Sequence, residues 1–61
     1  MTRKDYVEFA KVIAYLKEEF EQRGDALRCL REITLLMCGV FRRDNYRFDK
    51  KRFLEACGYD N

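Results

Sequence analysis

Residues 25–43 read DALRCLREITLLMCGVFRR, and the way this stretch is read decides the fold. Leu27, Leu30, Thr34, Met37 and Phe41 recur at spacings of 3, 4, 3 and 4, the repeat of one helical face. A helical wheel puts Ala26, Leu27, Cys29, Leu30, Ile33, Leu36, Met37, Cys38, Val40 and Phe41 in an apolar arc of about 200°. Only Arg28, Arg31, Glu32, Arg42 and Arg43, with Leu35 among them, face the other way. One neighbouring helix covers far less than such an arc. A third helix, a second protomer, or both must cover the rest.

The segment before it has the same period. Tyr6, Phe9, Ile13, Leu16 and Phe20 form a single stripe, flanked by Ala10 and Ala14. Thr2 followed by Asp5 resembles a capping box, with Asp in the place where Glu or Gln is usual. Glu19 and Arg23 form an ordered i,i+4 pair on the outside. Gly24 is expected to end this helix and Asp25 to cap the next. Two helices of similar length, joined by a very short turn, predict an antiparallel hairpin.

The C-terminal stretch, RFDKKRFLEACGY over residues 47–59, carries start and stop signals for a short helix from about Lys50 to Cys57. Asp49 is a good N-cap, and Phe48 and Phe53 have the spacing of a hydrophobic staple. Gly58 stands at C′, where Tyr59 beyond it can reach Leu54 in a Schellman motif. The expected fold is all-α: an antiparallel helical hairpin with the short third helix across its open end, dimerising into a helical bundle. The expected core is Tyr6, Phe9, Ile13, Leu16, Phe20, Leu27, Leu30, Ile33, Met37, Val40, Phe41, Phe53 and Leu54.

Sixty-one residues make a single small domain with a marginal core, so a further source of stability is expected. The cysteines Cys29, Cys38 and Cys57 are odd in number and cannot all pair within one chain. Cys29 and Cys38 fall on opposite helix faces, and histidine is absent, so a metal site is not expected. Buried thiols in a reducing cytosol are the ordinary reading. A second copy is the remaining remedy, with Cys29, Ile33, Leu36 and Val40 as the expected dimer interface. The start MTRKDYVEF lacks the apolar core of a signal peptide, and the longest uncharged run, Ile33 to Phe41, is too short to span a bilayer. A cytoplasmic protein without membrane attachment is expected.

Met1 to Tyr6 and the pattern Asp-Asn-x-Arg-Phe-Asp-x-x-Arg-Phe-x-x-Ala-Cys-Gly at Asp44 to Gly58 resemble a family of very small phage and prophage proteins. The resemblance covers about a third of the chain. This chain has Tyr46 where the family often has Pro, which loosens the turn before the third helix. The resemblance implies a phage setting, in the cytoplasm of a bacterial host, and no mechanism.

Catalysis is not expected: there is no histidine, no glycine-rich phosphate loop and no metal-ligand cluster, so no cofactor and no small-molecule substrate are expected either. Glu18, Glu19, Glu21 and Asp25 read as a solvated helix end, and Cys57 lies at the wrong end of its helix for a reactive thiolate. Two binding readings stay open. One is a protein-interaction module acting on another protein, such as a host or defence factor, with the apolar arc and exposed Val7, Tyr15 and Leu35 as contacts. The other is a nucleic-acid accessory protein using Arg42, Arg43, Tyr46, Arg47, Lys50, Lys51 and Arg52. Residues 42–52 hold six basic and two acidic side chains, a net +4, which leaves the remainder at −2.

Overall fold

The structure, a computed structural model, describes residues 2–59 and contains three helices: α1 (Arg3–Glu19), α2 (Gly24–Asp44) and α3 (Lys50–Cys57). At α1 the Thr2 N–H donates to the Asp5 carboxylate at 3.0 Å, so the capping box forms with the shorter acid. The helix ends at Glu19, one turn before Gly24, and residues 20–22 make the turn. Arg23 occupies the N-cap of α2 and Gly24 is its first residue. Asp25 therefore lies inside the first turn, where a carboxylate still complements the helix dipole.

The local signals around α3 hold as expected. The Asp49 carboxylate accepts from the Arg52 N–H at 3.1 Å, and the Phe48 and Phe53 rings lie 5.5 Å apart. Gly58 adopts φ 97°, and the Tyr59 N–H returns to the Leu54 carbonyl at 2.8 Å. The Lys17 ammonium donates to the Gly58 carbonyl at 2.5 Å and sits 4.2 Å over the Tyr59 ring.

That latch fixes where α3 lies. Its first residues start at the open end of the hairpin, where Phe48 meets Tyr6 (4.9 Å) and Phe41 (5.3 Å). Its last residues reach Lys17, near the far end of α1. The helix therefore lies lengthwise along one face of the hairpin, packed mainly on α1, and does not merely cross the open end. The body measures 34 × 19 × 18 Å, its long axis matching the roughly 31 Å expected of α2 at 1.5 Å per residue.

The core has a different centre from the one expected. Tyr6, Ala10, Ile13, Leu30, Thr34, Cys38, Phe41, Phe48, Phe53 and Cys57 are buried, with Leu16, Phe20, Met37 and Leu54 packed around them. Phe9, Ile33 and Val40, expected inside, are exposed, and Leu27 is only half-buried. The reason is steric. Ala10, Thr34 and Cys38 on the hairpin and Cys57 on α3 are small, so α3 packs closely on α1 and these residues turn inward. Thr34 is fully buried yet satisfied, its hydroxyl donating to the Leu30 carbonyl one turn back at 2.7 Å.

Phe41 is the hub of the packing. Its ring centroid lies 5.1–5.4 Å from those of Tyr6, Phe9, Phe48 and Phe53, so it touches all three helical segments and the connecting loop. Phe41→Ala should cost about 3–5 kcal/mol, enough to abolish cooperative folding in so small a chain. Gly58→Ala should cost about 1–2 kcal/mol, because φ is positive and the new Cβ would stand 3.2 Å from the Lys17 ammonium. Urea titrations followed by helical circular dichroism check both. A Phe41→Ala chain as stable as the wild type would contradict the hub.

Candidate functional site

Two surfaces remain once the core is accounted for: an apolar face and a basic end. The face arises because α3 covers only one side of the hairpin. On α1, the buried residues Tyr6, Ala10 and Ile13 point inward, with Val7 on the side towards α3. Phe9 and Val12 lie about 90° around the opposite way. On α2, the expected interface residues Cys29, Ile33, Leu36 and Val40 form a stripe about 120° from the buried set. Both displacements lead to the same side, away from α3.

The exposures there are large for apolar side chains: Leu36 73%, Val12 53%, Ile33 52%, Val40 51% and Phe9 40%. Half-buried Leu16 and Met37 extend the patch inward. The four residues expected at an interface thus share one uncovered stripe. Phe9 and Val12 join them, an addition the sequence reading missed because it placed Phe9 in the core. Tyr15 and Leu35, also proposed as contacts, are exposed elsewhere on the surface, while Val7 lines a cleft beneath α3.

The basic end gathers Arg42 and Arg43 at the close of α2, Tyr46 and Arg47 in the loop, and Lys50, Lys51 and Arg52 in the first turn of α3. All are exposed, Tyr46 by 79%, and the Arg47 guanidinium sits 5.7 Å from its ring centroid. The fold adds two cations that sequence distance hid. Arg3 and Lys4, in the first turn of α1, come to the same end because Tyr6 packs on Phe41 and Phe48. Between α1 and α3 lies a cleft of about 200 Å³, floored by Tyr6, Val7, Ala10 and Phe53 and edged by Arg3, Arg52 and the carboxylate of Asp49. Its apolar floor is a second feature that spacing along the chain gave no sign of.

The buried thiols are not poised for chemistry. Burial raises the Cys57 thiol to about 11, with the neighbouring Cys38 adding to the effect and Lys17 opposing it. Burial likewise raises Cys38, which Lys50 partly offsets. Tyr59 is also raised, chiefly by burial; the Thr34 hydroxyl lies beside its phenol without closing a hydrogen bond. Cys29, by contrast, is exposed on the apolar face. No family model, no curated protein and no solved structure matches this chain. No helix among the described residues is long and apolar enough to cross a membrane.

Two outcomes follow for the thiols. At neutral pH one equivalent per chain, Cys29, should react rapidly with a disulfide reagent, and the other two only on unfolding. Three fast thiols would refute the packing of α3. Below pH 9 folded and unfolded chains both keep the Cys57 proton, so the stability is intact. Between pH 9 and about 11 only the unfolded chain releases it, and stability should fall across that range. Thermal melts across that range measure the decline, which Cys57→Ala should make shallower.

Proposed function

We propose that the chain is a non-enzymatic helical interaction module that works as a homodimer and acts by binding another protein. The observation that carries this reading is the apolar face of Phe9, Val12, Ile33, Leu36 and Val40, left open by α3. A scattering of single exposed apolar residues is ordinary on any protein; five on one side of a hairpin are not. The accessible surface, 4963 Å², supports a second copy as the occupant. A compact monomer of 7.4 kDa is expected to expose about 4200 Å².

The two hairpins then pack through their α2 stripes into a four-helix core, with α3 on the outside of each. Cys29, Ile33, Leu36 and Val40 recur at spacings of 4, 3 and 4, the seam spacing of such bundles. The resemblance to small phage proteins favours a host or defence factor as the bound protein, and the exposed remainder of the dimer is the surface available to it.

Sedimentation equilibrium at about 100 μM should give twice the 7.4 kDa chain mass. Leu36→Glu should return it to monomer with helicity kept, because Leu36 is exposed within one chain. A wild-type monomer at that concentration ends the dimer reading. A protein partner recovered equally well by the Leu36→Glu chain would separate partner binding from dimerisation.

A further inference from the structure

The basic end carries more charge than its sequence segment, and the fold explains how. Eight cations meet there: Arg3 and Lys4 from α1, Arg42 and Arg43 from α2, Arg47 from the loop, and Lys50, Lys51 and Arg52 from α3. Three carboxylates lie among them, Asp5, Asp44 and Asp49, so the end carries 8 − 3 = +5. The rest of the chain has five cations and eight carboxylates, a net −3, and the two parts sum to the +2 of the whole. Asp5 and Asp49 are moreover occupied as helix caps. Arg3, Lys4, Lys50 and Lys51 also stand at helix N-termini, where the dipole already attracts anions and disfavours cations. Packing of the neighbouring rings brings these cations together at a cost in repulsion, and a docked polyanion would offset that cost.

We propose that this end binds single-stranded nucleic acid, its cations on successive phosphates, with one base seated in the α1–α3 cleft between Arg3 and Arg52. The aromatic components point to an unpaired strand. Tyr46 presents its ring to solvent with a guanidinium beside it, the combination on which bases stack, and stacking needs a free base face. The cleft has an apolar floor, and its roughly 200 Å³ is below the size that takes a drug-like ligand. A single planar ring suits it, with Arg3 and Arg52 at the rim for the attached phosphate. The helix that carries Lys50, Lys51 and Arg52 is not shaped for a duplex groove: α3 has eight residues, with Phe53 and Cys57 turned into the core.

This site lies at one end of the long axis and the apolar face along one side, so the two readings stand or fall separately. Fluorescence anisotropy with a labelled 12-nucleotide DNA or RNA strand, its duplex, and vesicles containing anionic lipid decides between occupants. The single strand should bind, weakening about 50-fold between 50 and 200 mM salt if four phosphates are neutralised. Tyr46→Ala should weaken binding roughly tenfold, as should Arg3→Gln combined with Arg52→Gln, with the circular dichroism unchanged. Arg28→Gln with Arg31→Gln, at the other end, should leave it intact. The monomerising Leu36→Glu change should also leave it intact. No binding at 50 mM salt overturns the proposal. So does tighter binding of the duplex, binding confined to vesicles, or equal loss from the distant arginine pair.

Discussion

The contact between Phe41 and the rings around it is the constraint on which the rest of this structure depends. A chain of this length has few residues to spend on a core, and here five aromatic side chains from three helices and a loop concentrate it at one end. Tilted and edge-on ring pairs contribute beyond their buried area, about 0.5–1.5 kcal/mol each. The cluster also sets the topology. By holding the start of α1, the close of α2 and the approach to α3 together, it leaves α3 only the length of the hairpin to run along. The Lys17 contacts with Gly58 and Tyr59 then fasten the free end.

The same cluster accounts for the segregation of charge. Arg42 and Arg43 follow Phe41, Arg47 precedes Phe48, Arg52 precedes Phe53, and Arg3 and Lys4 precede Tyr6. Each basic residue is tied by chain connectivity to a ring in the cluster. Packing the rings together therefore draws the cations together around them, whatever their mutual repulsion costs. The hydrophobic gain outweighs that cost because solvent and counterions screen exposed charges, whereas ring burial is not weakened by screening.

Local features were legible in the sequence because their physics is local. Thr2 with Asp5, Asp49 with Arg52, Phe48 with Phe53, and Gly58 with Tyr59 are each decided within five residues, and each takes the expected form. The hairpin and the all-helical class followed from periodicity. What periodicity does not encode is which part of a wide apolar arc faces inward. Leu30, Thr34, Cys38 and Phe41 compete with Ile33, Leu36 and Val40 for the interior, and hydrophobicity alone favours the second set. The first set wins because Thr34 and Cys38 are small enough for α3 to close over, opposite Ala10 and Cys57. Of the two surfaces, the basic residues after Arg42 were visible as a run, whereas Arg3 and Lys4 lie far from it along the chain.

An outward Ile33, Leu36 and Val40 and an inward Thr34 and Cys38 are two sides of one choice. Had α2 turned its large aliphatic residues onto α1, α3 would have met a ridge and could not have approached closely. The Cys57 and Phe53 contacts would then be lost, and with them the anchoring of the loop that carries Tyr46 and Arg47. Laying α3 over the small residues keeps that loop in place but leaves the aliphatic stripe without cover. One chain cannot do both, since three helices in this arrangement enclose one side of the hairpin only. An uncovered face is thus the structural cost of holding the basic end in order. A second copy would remove that cost, because the stripe runs along one side of the body whereas the basic end lies at one end of its long axis.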